Sequence, residues 1–343
     1  MGDVTCLWWN ADNLFGAEEA PRPSRRVSHY ATYADGLAAI CEVLAGAPDG
    51  VPDIICLGEV GVVAGDAPGL RALQQALERA GAQRSVRWGD TAGDPLVTCG
   101  VLWNERTVRL CAGPISHPVK VAWHGDAVGR PILELQFEEV TSGRAFTVYV
   151  NHWTSRRTDT VGGSRLEASE KLLELVRYGM GQAADVAIVV LGDFNEEPFD
   201  APMRNPLRPR GNWHEDLIVR DRLALLDSDR RADRPVLYNP CWRLMGELDD
   251  PRPPTALSQA GTYYYELVQG DRVVRRGWYT FDQVLVNAEM LRGERPLFVE
   301  ESLTVLRPSA ACGKDGRPEG PSDHFPLWFK LRFPDRDEEE QTR

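Results

Sequence analysis

Apolar, strand-forming runs in this chain stop repeatedly on carboxamides, carboxylates or histidines, and that pattern constrains the fold more than any other feature. Val4 to Asn10 ends on Asn10, and Asp53-Ile54-Ile55-Cys56-Leu57-Gly58-Glu59 ends on Glu59. Ala145 to His152 closes on Asn151-His152, and Val186 to Asp193, the most apolar run, opens into Asp193-Phe194-Asn195. A further polar cluster, Ser322-Asp323-His324, adjoins the closing run Phe325 to Phe333. Strand ends point side chains to one rim, where open α/β folds build their sites. Leu96 to Asn104, Pro131 to Glu139 and Phe281 to Asn287 are further strand candidates, and Thr141-Ser142-Gly143-Arg144 supplies a hairpin-like turn. Helices fit between them: Ser28 is placed to cap a helix over Tyr30 to Ala45, and Gly69 to Ala80 is amphipathic. Ser164-Arg165-Leu166-Glu167 has capping-box spacing ahead of a helix to about Tyr178. Strands mixed with helices, plus a hairpin, point to an α/β fold of two packed sheets with helices outside.

Composition narrows the class. The 343 residues are 43% apolar and 26% charged, which suits a soluble globular protein and excludes wholesale disorder. No repeat or long linker divides them, so residues 1–333 are expected to form one domain. A Pro- and Arg-rich excursion at about 202–254 interrupts it, and an acidic, disordered tail at 334–343 follows it. No apolar run is long enough for a membrane span, so no membrane partner is expected. Seven scattered cysteines without a Cys-x-x-Cys pair argue against a disulfide framework or structural zinc. With an N-terminus unlike a signal peptide, they make the cytoplasm the expected compartment. The net charge of −12 excludes a general nucleic-acid coat. The segment from Asp200 to Arg276, however, holds 13 arginines against 12 acids. An acidic enzyme can still act on a phosphate polymer where metal ions and a few arginines neutralise the site locally.

The pooled strand-end residues are hard oxygen donors and two histidines, a set that suits Mg²⁺ or Mn²⁺ far better than zinc. Taken singly, each has a plain structural explanation. Asn10 could be a turn residue, Glu59 a helix cap, His152 a satisfied buried imidazole, and Asp323-His324 a local hydrogen-bonded pair. Trp8 and Trp9 read as one core and one rim aromatic. Tyr263-Tyr264-Tyr265 reads as a strand whose alternate rings could face a cleft and stack on a base. Arg204, Arg208 and Arg210 read as solvated surface.

In order along the chain stand Trp9-Asn10-Ala11-Asp12-Asn13-Leu14, Leu57-Gly58-Glu59-Val60 and Asn151-His152-Trp153-Thr154-Ser155. Gly192-Asp193-Phe194-Asn195, Phe281-Asp282-Gln283-Val284-Leu285 and Ser322-Asp323-His324-Phe325-Pro326 follow. Together these resemble the endonuclease/exonuclease/phosphatase superfamily, which includes deoxyribonuclease I, exonuclease III and the inositol polyphosphate 5-phosphatases. Any one tetrapeptide is weak; six in order are strong. The resemblance implies a deoxyribonuclease I-like, four-layer α/β/β/α sandwich. It also implies a metal held by Glu59 with Asn10 and, through water, Asp323. Asp193 and Asn195 would orient the attacking water, while His152 and His324 flank the phosphate. Asp282 would fix one tautomer of His324, and Arg130 and Ser155 would contact substrate. Gly58 departs from the glutamine that many members carry before the metal-binding Glu, and no carboxylate is evident to orient His152.

The expected activity is therefore Mg²⁺- or Mn²⁺-dependent phosphoester hydrolysis, with nucleic acid favoured as substrate. A phosphomonoesterase acting on a small soluble phosphate or nucleotide is the main alternative. A catalytically silent binding protein of the same fold is a rival from another class, opposed by the full set of charged residues. Sphingomyelinase-type hydrolysis would call for an exposed apolar hairpin, which only Trp242 and the tyrosine run could supply.

Overall fold

Alternation along the apolar runs decides what each buries. In β8 (Ala187–Asp193), Ala187, Val189 and Leu191 enter the central core, while Ile188 and Val190 join a second cluster on the other face. The computed structural model describes residues 2–17, 30, 32–91, 97–120, 128–182, 186–204, 218–219, 237–245, 261–269, 272–292 and 296–334.

Two mixed sheets pack face to face. The six-stranded sheet runs β14 (Leu297–Val305), β15 (Leu327–Phe333), β1 (Gly2–Leu14), β2 (Ile54–Gly61), β4 (Val97–Trp103), β3 (Ser85–Trp88). The seven-stranded sheet runs β5 (Val108–Lys120), β6 (Val128–Glu139), β7 (Ala145–His152), β8, β13 (Asp282–Asn287), β10 (Leu237–Tyr238), β9 (Ile218–Val219). β11 (Tyr263–Gln269) and β12 (Arg272–Tyr279) form a separate antiparallel hairpin.

β1 pairs with β2 in parallel, and so does β7 with β8; each pair needs a crossover. Helix α1 (Tyr33–Ala45) supplies the first and α3 (Gly163–Gln182) the second. With α2 (Pro68–Arg79), α1 packs on the six-stranded sheet through Ile40, Leu44, Leu70 and Leu73. Leu172 and Val176 of α3 pack on the seven-stranded sheet, so helices cover both outer faces. A one-turn helix, α4 (Ala201–Arg204), follows β8.

Two helix starts differ from the sequence reading. α1 begins at Tyr33, and its N-cap is Thr32, which forms a reciprocal capping box with Asp35; Ser28 lies outside the described residues. Ser164 falls inside α3 rather than before it. Asp159 takes the capping role, accepting from the amides of Gly162 at 2.9 Å and Ser164 at 2.8 Å.

Part of the expected excursion belongs to the core. Leu237 and Tyr238 pair with β13, and Cys241 and Leu244 are buried beside them. Arg204 is exposed; Arg208, Arg210 and the acidic tail lie outside the described residues. All seven cysteines are free thiols. Among the described residues, no helix is long and apolar enough to cross a membrane.

Candidate active site

The inner apolar rows end together. Phe146, Val148 and Val150 of β7 lead to His152, and Ala187, Val189 and Leu191 of β8 lead to Asp193. Val286 and Val284 of β13, running the opposite way, lead back to Asp282. Register sets His152 beside Asp193 and Asp193 beside Asp282, a row of three on one sheet. From the facing sheet, Trp8 and Asn10, two residues apart on β1, meet this row. Asn10 Nδ2 donates to Asp193 Oδ2 at 3.1 Å, and Trp8 Nε1 donates to Asp282 Oδ1 at 2.7 Å. The residues from Ser322 to His324 complete the floor: Ser322 Oγ donates to the Asn10 carbonyl at 2.6 Å and accepts from the His324 amide at 3.0 Å.

Between the sheets lies a cleft of about 540 Å³. Every residue expected from the resemblance to hold metal, contact substrate or take part in catalysis lines it except Asp282, which is fully buried behind His324. Asn10, Glu59, Arg130, His152, Asp193 and His324 form the polar pole, with Asn195, Ser155 and Asp323 around them. Glu59 owes its aim to a bulge: the β2–β4 register shifts between Leu57 and Val60, and Glu59 takes φ 54°. Asn195 at φ 52°, Asp12 at 45° and Asn13 at 62° are also left-handed, and all line the same cleft. Such backbone costs of order 1 kcal/mol or more per residue, so its concentration in one cleft marks a constrained site.

The two histidines differ in charge. His324 Nδ1 lies 2.6 Å from Asp282 Oδ2. Burial alone would depress this imidazole, but Asp282, Asp193 and Asp323 outweigh it and raise its pKa to about 10. His324 is therefore an imidazolium whose second N–H faces the cleft. Burial, with the charges of Arg130 and His324, drives His152 well below its ordinary range, so it is neutral. Arg130 Nη1 lies 2.5 Å from His152 Nε2. A guanidinium can only donate, so Nε2 accepts and the proton sits on Nδ1, which is buried without a hydrogen-bond partner. Among the described residues, no carboxylate meets that nitrogen, as none was evident in the sequence. In this arrangement Arg130, rather than His152, presents protons to the cleft.

Asp193 Oδ1 accepts from the Asn195 amide at 2.8 Å, which leaves Oδ2 toward the cleft; burial raises the carboxyl to about 6. Burial likewise pushes Glu59 up to about 7, opposed by Arg130 and reinforced by Asp12 and Asp323. Carboxylates crowded into one dry cleft repel, and a divalent cation relieves that repulsion. The donors are hard oxygens, and no thiolate joins them among the lining residues, so Glu59 with Asn10 and Asp323 fits Mg²⁺ or Mn²⁺. Asp193, Asp282 and His324 also bring ligand atoms within 4.8 Å of one another. Both oxygens of Asp282 are already engaged by Trp8 and His324, so Asp282 is committed to hydrogen bonds rather than to a chelate.

The other pole is aromatic. Tyr263 stacks 4.5 Å from the His324 ring and 5.6 Å from Phe281, and Tyr265 lies 6.4 Å beyond Tyr263. Arg157 sits 5.5 Å over Tyr265 and Arg156 4.9 Å over Phe281. The alternation expected for the tyrosine run holds: Tyr264 packs instead against Trp278. Tyr279, Arg156 and Thr160 were not singled out from the sequence, and Phe281 stood there only as the first residue of its motif. Trp8 and Trp9 are both buried, correcting the core-and-rim reading; the Trp9 indole donates to the His324 carbonyl at 2.8 Å.

A family model described as the Endonuclease/Exonuclease/phosphatase family matches residues 7–324, which span every site residue named above. No curated protein is significantly similar in sequence. Several solved structures share the fold. TDP2 from D. rerio, crystallised with a single-strand DNA product, superposes with a TM-score of 0.54 at 13% identity, covering 97% of this chain and 100% of that one. The human Nocturnin catalytic domain with bound sulfate gives 0.53 at 16%, covering 97% and 95%. An endonuclease/exonuclease/phosphatase family protein from Bacteroides thetaiotaomicron gives 0.57 at 13%, covering 97% and 96%. The two packed sheets with outer helices are the deoxyribonuclease I-like α/β/β/α sandwich.

Proposed function

This chain belongs to the endonuclease/exonuclease/phosphatase family, and on that premise we propose that it is a divalent-metal-dependent nuclease cleaving phosphodiesters by in-line attack of water. The observation that carries this reading is a cleft in which Asp193 Oδ2 lies 4.0 Å from the His324 imidazolium and 3.8 Å from His152 Nε2, the nitrogen that Arg130 meets and that lies 3.6 Å from Glu59. Asp193, anchored through Oδ1, orients the water and accepts its proton as the new O–P bond forms and the ester P–O bond opposite it breaks, the leaving oxygen taking its proton from solvent water. Asn10 holds Oδ2 in place, and Asn195 hydrogen-bonds the carbonyl of Trp153 at 3.1 Å, which keeps the loop behind the water fixed. The Nε2–H of His324 and the Arg130 guanidinium donate to the phosphoryl oxygens, where negative charge grows. Because Asp282 holds the His324 proton so firmly, the imidazolium acts more as a fixed positive charge than as a proton donor. His152 orients Arg130, and Ser155 lines the substrate path. Glu59 with Asn10 and Asp323 would hold Mg²⁺ or Mn²⁺, which would supply Lewis-acid stabilisation of the same charge.

The aromatic pole supports nucleic acid as the substrate: rings and guanidinium groups side by side suit a base next to a phosphate. The D. rerio relative bound to a single-strand DNA product agrees with this reading. The net charge of −12 favours the second reading, a phosphomonoesterase on a small soluble phosphate. Purified protein incubated with Mg²⁺ or Mn²⁺ against plasmid, single-stranded DNA, RNA, nucleotides and sugar phosphates separates the two. Cleaved polymer supports the nuclease; phosphate released from small molecules with polymer intact supports the phosphatase.

A further inference from the structure

We propose that Trp8 is a positioning residue for the Asp282–His324 pair, and that Gly58 is glycine because the Trp8 ring occupies the place a side chain there would take. Three observations converge. The Trp8 indole crosses from one sheet to the other and donates to Asp282 Oδ1 at 2.7 Å, while His324 Nδ1 meets Oδ2 at 2.6 Å. Trp8 and Asp282 are both 0% exposed, so water cannot replace the indole as donor. A Cβ built on Gly58 would lie 2.8 Å from Trp8 Cη2 and 3.2 Å from Cζ2, closer than carbon atoms pack.

The chemistry follows from geometry. A carboxylate turns about its last bond with little resistance, and a buried one that holds a single partner has no fixed plane. The indole N–H fixes Oδ1, which aims Oδ2 at His324 and so aims the imidazole's other nitrogen at the cleft. The glycine at 58 is thus one half of a pair: the large ring on β1 does the orienting, and the missing side chain on β2 makes room for it. Trp9 adds a second restraint by holding the His324 carbonyl.

The consequence for turnover rests on the phosphoesterase reading above, and the test separates the two. Trp8→Phe keeps most of the ring and removes the donor. Its kcat should fall by about ten- to a hundredfold, the range for a buried hydrogen bond to a charged group, with KM within about twofold. Gly58→Ala should lower kcat by displacing the ring. The double variant should be no slower than the worse single one, because both changes break one interaction. An independent readout is the His324 Nδ1 proton resonance, assigned by its loss in His324→Gln and recorded on folded protein without substrate. It should shift or broaden in Trp8→Phe. Unchanged kcat, or an unchanged resonance, in folded Trp8→Phe would overturn the proposal. A wild-type chain that hydrolyses no phosphoester would overturn the reading beneath it, and the resonance would then decide the role of Trp8 alone.

Discussion

The Nε2 atoms of His152 and His324 lie 3.8 and 4.0 Å from the same oxygen of Asp193, yet the two rings carry different charges. One is neutral and accepts from Arg130; the other is an imidazolium held by Asp282. An imidazole pair beside one carboxylate is thereby split into a fixed cation and a fixed acceptor, the separation of roles that acid–base sites require.

The split has a pH signature. His324 is raised to about 10, so its contribution to stability is full below its ordinary value near 6.5 and is lost as pH climbs toward 10. The difference in unfolding free energy between wild type and His324→Gln should therefore shrink steadily from pH 6 to pH 10. Urea titrations across that range measure it. A difference that grows with pH would contradict the assigned charge.

Glu59 responds to metal. Burial holds its carboxyl up to about 7 in the metal-free protein, and a metal ligand must be ionised. Mn²⁺ affinity should rise between pH 6 and 8, with proton release detectable by calorimetry in buffers of different ionisation heat. Glu59→Gln should weaken binding by about tenfold or more and abolish that pH dependence. A pH-independent affinity in the wild type would count against Glu59 as the principal ligand.

Gly192, one residue before Asp193, has φ 155°, and a Cβ there would sit 2.1 Å from the carbonyl oxygen of Asn151. The close approach lets β8 present Asp193 beside His152. Gly192→Ala should destabilise the fold by about 2–4 kcal/mol. Chemical denaturation checks this, and a cost under half a kcal/mol would show that β7 and β8 can part without penalty.

Arg156 ties the loop after Asp193 together. Its Nε donates to the Asn195 carbonyl at 2.7 Å, and its Nη2 meets Glu196 at 2.5 Å and also pairs with Asp200. Arg156→Ala leaves Glu196 to Arg165 alone and frees the Asn195 backbone. About 1–3 kcal/mol of stability should be lost, together with a lower kcat. Denaturation and steady-state rates on one preparation test both parts.

How much of this was legible in the sequence depends on burial. Strands in the sheet interiors, such as β2, β4 and β8, declare themselves because apolar residues fill both faces. Of the strands that went unread, β3, β5, β9 and β14 lie at sheet edges, and β5 carries two prolines along a largely exposed face; β10 is only two residues long, and β12 lies in the separate hairpin. Polar site residues were visible because they end apolar rows. The partnership of Trp8 with Asp282 was not, since it spans 274 positions and two sheets. The Arg130 contact that fixes the His152 tautomer was equally hidden, because neither residue type reveals which nitrogen accepts.

Asp193 is the group on which the account turns. The most direct measurement follows cleavage of an end-labelled single-stranded oligonucleotide by wild type and Asp193→Ala, with Mg²⁺ or Mn²⁺ and with chelator. Metal-dependent cleavage that falls by about a thousandfold or more in the variant is the result expected of a group that orients the attacking water. Cleavage at an undiminished rate in the variant, or none by folded wild type with either metal, would contradict it.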